Sequence, residues 1–397
     1  MTLTEDILTR ASQGPVGLDD TDRMGLLAAA EKLTLALENP IEKFARMFMA
    51  LYDPIVIRIA VDLKLVDIAL AHGNPITAAE LARQSKADVE LIHRLLRLLV
   101  PIQIFIEDAS AKEKTYIAAP FGHALATGSP LRSAILHFSQ VFVSTAAMPD
   151  YFAARGYSNP SSALDSPFTF AYNCKGSTYF DFLARPGQEE MSRAFNETMA
   201  LQRLNEEPGF VADYLVERLK IEDPRRVLFV DVGGGVGHQL LKFHARCLAA
   251  GMQGKLALQD LPGVVAEAKG LPDDVLKVGH DFFQPQPESV KGAKAFYLRT
   301  VLHDWPQTEA EAVLRHIVNG MAKDSVVLLH EVILPAMGVE HFDAKVDWHL
   351  MNLGALERTE EQWRTLVGGV GLQVQGIWWE PEDTKGRRAL IECGLKG

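Results

Sequence analysis

The sequence predicts an α/β protein: a Rossmann-like, doubly wound parallel sheet from about residue 221 onward, preceded by a mainly helical, winged-helix-like half. Three observations carry this reading. Beyond Arg226, short β-rich runs alternate with helical stretches, the rhythm of a parallel sheet with helices on both faces. The first run ends in an acid and a cluster of glycines, then opens a helix. Residues 76–118 read as two short helices around a polar turn, followed by a hairpin.

The bulk properties bound the answer. At 397 residues the chain has room for two or three domains. Its 48% hydrophobic and 23% charged content is that of an ordinary globular protein, and its net charge of −11 argues against a nucleic-acid binder that works by neutralising phosphates. The three cysteines, Cys174, Cys247 and Cys393, lack metal-ligand spacing, which fits a reducing, cytoplasmic setting and no metal site. The start, MTLTEDILTRASQGP, carries early acids and no apolar run, unlike a secretory signal, and no apolar stretch is long enough to span a bilayer.

Along the chain, residues 1–40 read as helical pieces broken by GPVG, an arm suited to a partner. From Pro40 to about Leu70 the apolar residues Phe44, Met47, Met49, Leu51, Ile55, Ile57, Ile59 and Val61 are read as recurring at helical spacing. ITAAELARQSKADVELIHRLLRLLV gives two helices, with Thr77 as an N-cap, and IQIFIEDASAKEKTYIAA gives the hairpin. A winged helix suits either DNA reading or a dimerisation and substrate-covering role. The broad apolar face of DVELIHRLLRLLV, where a recognition helix needs exposed polar side chains, favours the second. We expect residues 1–130 to form the dimerisation domain, 131–220 a helical, aromatic-rich linker and pocket roof, and 221–397 the sheet domain. Strands are expected at VLFVDV, KLALQD, KAFYLRT, SVVLLHEVIL and LQVQGIWW, within a sheet of about seven.

The sharpest motif is Val227-Leu-Phe-Val-Asp-Val-Gly-Gly-Gly-Val-Gly237. Gly233, Gly234 and Gly235 let the backbone take positive φ and approach a ligand without a Cβ clash. Such a turn also fits a pyrophosphate loop, but that loop wants G-x-G-x-x-G. Asp231 at the strand end would repel pyrophosphate and attract the cationic end of a zwitterion. Asp260, at the tip of KLALQD and followed by Leu261, suits ribose hydroxyls, and GHDFF brings Asp281 and Phe282 to a loop where a purine ring fits. Each acid alone also reads as a helix cap.

Together VDVGGGVGH, LQDLPGVV, GHDFFQ, YLRTVLHDWPQTEA, VLLHEVILP and LGALERTEEQW, in this order, resemble the plant- and fungal-type O-methyltransferases that use S-adenosylmethionine (SAM). The resemblance covers about residues 40–390. It implies a SAM-binding Rossmann-like domain with a winged-helix dimerisation domain, an intertwined homodimer, and SAM held by Asp231, Gly233, Asp260, Asp281 and Phe282. It further implies that His303 of the H-D-W motif is the general base, with Glu331 and Glu357 as its acids. That assignment is chemically sound. Histidine titrates near neutral pH, and a carboxylate on its other ring nitrogen fixes the tautomer as the acceptor hydroxyl loses its proton. S-adenosylhomocysteine would be the second product.

Two departures matter. Where the family often has G-G-K-E-R-T, this chain has Gly354-Ala-Leu-Glu-Arg-Thr359, which alters the loop before Glu357. Lys345, on DAKVDWHLMN, either grips a substrate carbonyl or pairs with Asp343 or Asp347. Some fungal members of the family catalyse pericyclic reactions on quinone-methide intermediates of pyridone alkaloids: dehydration, then Diels–Alder, hetero-Diels–Alder or Alder-ene closure, with SAM retained as a cation. For such chemistry the polar anchors here would be His137, Arg299, Thr300 and Lys345, with Arg299 alternatively serving the SAM loop. The apolar cage, a secondary-metabolite pocket under either reading, would comprise Phe138, Phe170, Tyr179, Phe180, Met199, Trp348, Met351 and Asn352. Fold alone does not choose between the two reactions, nor exclude an inactive SAM-binding partner subunit.

Overall fold

The fold was analysed from a computed structural model, which describes residues 2–108, 113–204, 216–380 and 388–397. The chain divides into two compact units, Met1–His123 and Ala124–Gly397, so the aromatic-rich helices after residue 124 belong to the same unit as the sheet.

The first unit begins with helices Leu3–Gln13 and Asp20–Leu37, which bury no side chain. Asn39 then accepts hydrogen bonds from the amides of Ile41 and Glu42 and caps the helix Pro40–Met49. That helix also buries nothing, although Ile41, Phe44, Met47 and Phe48 lie along it; an exposed apolar face of this kind marks an interaction surface. Helices Tyr52–Asp62 and Leu65–His72 follow. Thr77 caps the next helix as expected, its hydroxyl accepting from Glu80 N at 3.2 Å. Helix Val89–Leu99 turns Ile92, Leu95, Leu96 and Leu99 into the unit's core, the inward use of its apolar face that the pattern favoured. Strands β1 (Ile76–Thr77), β2 (Phe105–Asp108) and β3 (Thr115–Ala118) complete a small antiparallel sheet in the order β1-β3-β2. The tip of the expected hairpin lies outside the described residues.

In the second unit, helices Pro130–Gln140, Phe142–Ala153, Pro167–Ala171, Tyr179–Leu183 and Glu189–Leu204 precede the sheet. Phe168, Tyr172, Tyr179 and Phe182 pack ring against ring among them. The sheet contains β4 (Val227–Val232), β5 (Lys255–Asp260), β6 (Leu276–Gly279), β7 (Ala295–Arg299), β8 (Val326–Leu334), β10 (Leu372–Trp379) and β11 (Arg388–Leu395), with β9 (Arg358–Thr359) paired to β8. The order is β10-β11-β8-β7-β4-β5-β6. β6 through β8 run parallel, while β11 pairs antiparallel with β8 and β10 with β11.

The sheet winds outward from β4 through β5 to β6, then returns to β4's other side with β7. The strand order therefore reverses between β4 and β7, and loops leaving their carboxyl ends diverge around a crevice, the place where such folds bind ligands. β4 is buried along its whole length because helices cover both faces of a central parallel strand. Five strands match the sequence expectation. β6 and β11 were not among them: β6 is a four-residue edge strand with alternating exposure, and β11 is a C-terminal return.

Candidate functional site

At the carboxyl end of β4 the backbone takes positive φ at Gly233 (69°), Gly235 (62°) and Gly237 (85°), the last capping helix His238–Ala249. Small residues are compulsory here. A Cβ on Gly233 would lie 2.9 Å from a Val301 methyl, and one on Gly234 would lie 2.6 Å from both the Asp231 carboxylate and Leu258. The turn is tied to β5, whose Gln259 carbonyl accepts from Gly233 N at 2.8 Å. Asp260 Oδ2 accepts from Gly235 N at 2.8 Å and its Oδ1 from Leu261 N at 2.7 Å, so the second acid shapes the glycine turn directly. Asp231 is only 3% exposed at the floor of this turn. Asp281 Oδ1 accepts from Phe283 N at 3.0 Å, and the neighbouring Phe282 ring meets Trp305 edge-on at 5.9 Å. An acid beneath an N–H-rich turn, a second acid at the next strand tip and an aromatic loop suit a ligand with an ammonium end, a ribose diol and a purine. They fit SAM.

The loop after β7 is built on strain and buried charge. Thr300 has φ 49°, an unusual conformation for a β-branched residue. It is held by its amide to His330 O (3.1 Å) and its hydroxyl to Arg299 O (2.7 Å). The amides of Val301 and Leu302 then both donate to Glu331 Oε1, at 3.0 and 2.9 Å. This delivers His303 on a single 3-10 turn, Leu302–Asp304. Its Nδ1 lies 2.9 Å from Glu357 Oε1, and Asp304 Oδ1 lies 3.6 Å from its Nε2. Asp347 Oδ1 accepts from the Glu357 amide at 2.9 Å and so aims that carboxylate. In the altered loop, Gly354 sits at φ 78°, where a Cβ would lie 2.9 Å from Ser162 O, and Glu357 still meets the histidine.

The expectation for Glu331 is corrected by this geometry. It does not bond His303; it grips the backbone that presents it. Adjacent strand residues face opposite sides of a sheet, so His330 points away, bonded to Tyr297 Oη and Glu380 Oε1 at 2.8 Å each, while Glu331 points under the loop. The sequence reading also missed Arg358. Fully buried, it donates to the carbonyls of Leu302 and Trp305 at 2.8 Å and stacks its guanidinium 5.1 Å over Trp363. Asp304 and Asp347 were missed too, although Asp304 and Arg358 lay inside motifs read for their neighbours.

These charges set the titration. Burial works to lower the His303 pKa, but Asp304, Glu357 and Glu331 outweigh it and raise the group to about 10. Burial lifts Glu331 to about 7, with Glu357 adding to the effect against His303 and the two amides. Burial brings Arg358 down to about 10, with Glu331 and Glu357 opposing.

The pocket candidates divide. His137 is buried against Phe138, Tyr179 and Phe195, its Nδ1 3.3 Å from Tyr179 Oη, and burial with a contribution from His349 lowers its pKa to about 4. Tyr179 donates to Gln140 Oε1 at 2.8 Å, and Phe180 packs on Trp305. Phe170 lies instead beside Tyr151 and the Arg155 guanidinium. Arg299 is buried at the end of β7; Met199 and Met351 are half-buried. Asn352 is tied inward, accepting from the Ser144 and Thr145 hydroxyls. Phe138 meets the His349 ring at 5.3 Å, and Trp348 lines a cavity of about 470 Å³ together with Lys345, His349 and Asn352. Lys345 is exposed, and among the described residues it forms no ion pair with Asp343 or Asp347. Among the described residues no group of three His, Cys, Asp or Glu is placed to hold a metal ion, and no helix is long and apolar enough to cross a membrane.

Comparison with known proteins agrees with this architecture. The O-methyltransferase domain profile matches residues 165–373 and the O-methyltransferase dimerisation domain profile residues 45–128. The chain is 31% identical to O-methyltransferase ucdC of Aspergillus ustus over 366 residues, 92% of this chain and 93% of that one. It is similar to a solved structure of LepI in complex with SAM, at 28% identity, TM-score 0.83 and 99% coverage of both chains. A structure described as a pericyclic reaction enzyme matches with the same identity, TM-score and coverage.

Proposed function

The chain belongs to the SAM-dependent O-methyltransferase family, and from that premise we propose that it methylates a hydroxyl of a bulky aromatic or polyketide-derived secondary metabolite, with His303 as general base. The observation that carries the reading is the 2.9 Å contact of His303 Nδ1 with Glu357. With Nδ1–H committed to the carboxylate, the ring presents Nε2 as its lone-pair nitrogen once it has lost its second proton, and the fraction in that form grows as pH rises towards about 10. SAM, held by the glycine turn with Asp231, Asp260, Asp281 and Phe282, supplies an electrophilic methyl group when bound. His303 Nε2 removes the proton of the acceptor hydroxyl, and Glu357 stabilises the imidazolium that forms. Glu331 fixes the Val301–Leu302 backbone from below, and Arg358 offsets the charge of the two buried acids. The exposed apolar face of Pro40–Met49, a helix that runs into the dimerisation domain matched over residues 45–128, supports a homodimer. His303→Ala should reduce turnover by several orders of magnitude with SAM affinity retained; turnover near the wild-type rate would remove the base from the account.

A second reading is favoured by the LepI-like structures and by the buried, neutral His137 and the unpaired Lys345. In it, the site closes a pyridone quinone methide by a pericyclic route and SAM persists as a bound cation. Lys345→Ala or His137→Ala should then slow cyclisation or change its product ratio. An unchanged profile in both variants removes that reading.

A further inference from the structure

We propose that the cavity beside helix His341–Leu350 receives an anionic oxygen group of the acceptor, a carboxylate or an enolised 1,3-dicarbonyl, with Lys345 as its counter-ion. The inference rests on the methyl-transfer reading for the identity of the site, and goes beyond it in naming the acceptor's chemistry.

The cavity, of about 470 Å³, is large enough for one ring system and its substituents. Its wall is unevenly polar. Lys345, His341 and His349 supply nitrogen groups, and Met148 and Trp348 supply apolar surface. No aspartate or glutamate is among the described residues that line it. The wall's own carbonyl acceptor is already used: Asn352 Oδ1 takes the hydroxyl protons of Ser144 (2.7 Å) and Thr145 (3.3 Å). Asn352 Nδ2 in turn donates to the His349 carbonyl at 3.1 Å, which fixes that stretch of wall. Burial lowers the His349 pKa, so its neutral ring offers one donor and one acceptor nitrogen, and Lys345 is the cation of the wall. The acids of the same helix do not neutralise Lys345. Asp347 is engaged by the Glu357 amide, and among the described residues Lys345, which is exposed, forms no ion pair with it or with Asp343. An acid-free cavity with an exposed ammonium on its wall is complementary to a ligand carrying negative charge.

The cavity is coupled to the catalytic group through one helix. Asp347, two residues from Lys345, holds the backbone of Glu357, which holds His303. An acceptor anchored on Lys345 is therefore anchored on the element that orients the base.

The test uses the full-length protein loaded with S-adenosylhomocysteine and two probes of matched shape, 2,4-dihydroxybenzoate and its methyl ester. Ligand-observed NMR and calorimetry measure affinity for wild type, Lys345→Met and Lys345→Arg. The expected result is a preference for the acid, lost about three- to fivefold in Lys345→Met, with the ester unchanged and the acid restored in Lys345→Arg. Equal affinity for the two probes, binding of neither, or an equal loss of both in Lys345→Met overturns the proposal. S-adenosylhomocysteine affinity, measured on the same samples, reports folding. Charge-selective binding in a protein that never transfers a methyl group would fail the proposed function and leave this inference standing; methyl transfer with no charge selectivity would do the reverse.

Discussion

Glu357→Gln isolates the charge that the account places against His303. The amide keeps the shape and an oxygen acceptor 2.9 Å from Nδ1, but removes one of the three acids that raise the imidazole to about 10. A hydrogen bond to a charged group is worth roughly 1.5–3 kcal/mol. At about 1.4 kcal/mol per pKa unit, the imidazolium should titrate one to two units lower in the variant. Side-chain ¹⁵N shifts of histidine in the free enzyme, followed from pH 6 to 11, read this directly. The rate should follow the same energy. The high-pH plateau of kcat/KM falls about ten- to a hundredfold, because the imidazolium formed in the transition state loses its partner. The ascending limb moves down by the same one to two units, so the two profiles converge towards acid pH. A His303 midpoint near 6.5 in both proteins, or a parallel loss of rate at every pH, would refute the reasoning.

Three further outcomes follow from the same contacts. Gly234→Ala, whose Cβ would lie 2.6 Å from the Asp231 carboxylate, should weaken SAM binding roughly a hundredfold or more by calorimetry, as should Asp231→Ala; near-wild-type affinity in both would misplace the cofactor. Arg358→Met leaves Glu331 and Glu357 without their buried cation and should lower unfolding free energy by about 3–5 kcal/mol, measured by urea titration; a neutral effect would mean the acids are not charged together. Glu331 holds its proton more tightly folded than unfolded, with a folded pKa of about 7. Its contribution to stability is therefore complete below about pH 4.5 and declines as pH rises through 7. Glu331→Gln should match wild type near pH 4.5 and exceed it by up to about 3 kcal/mol above pH 7, and a constant difference across that range would contradict the burial argument.

The sheet domain was legible because its strands are central and apolar on both faces, and because VDVGGGVGH needs glycines wherever the backbone crowds Asp231 and Val301. β6 and β11 escaped: the first is a short edge strand, and the second has little to set it apart from a loop until β8 is there to pair with it. At the site, the motifs singled out from the sequence include His303 and Glu357, which meet at 2.9 Å, and Asp260, which accepts from the glycine turn after Asp231. Sequence order could not separate the work of Glu357 from that of Glu331. That distinction depends on which face of β8 a side chain occupies, and on where the Val301 and Leu302 amides point. Arg358 was hidden for a related reason. An arginine beside a glutamate reads as a surface ion pair, and only burial under the H-D-W turn shows it to be the cation of a charged core. Phe170, read as a wall of the pocket, packs with Tyr151 and Arg155.

The central claim is that the site transfers a methyl group and uses His303 to do so. The most direct measurement incubates the enzyme with SAM and a panel of phenolic and enolic polyketide acceptors, and quantifies S-adenosylhomocysteine and product mass from the same reaction. The account predicts S-adenosylhomocysteine in one-to-one ratio with a product one methyl group heavier, both lost in His303→Ala. Product at unchanged or water-depleted mass, with SAM recovered intact, would contradict it.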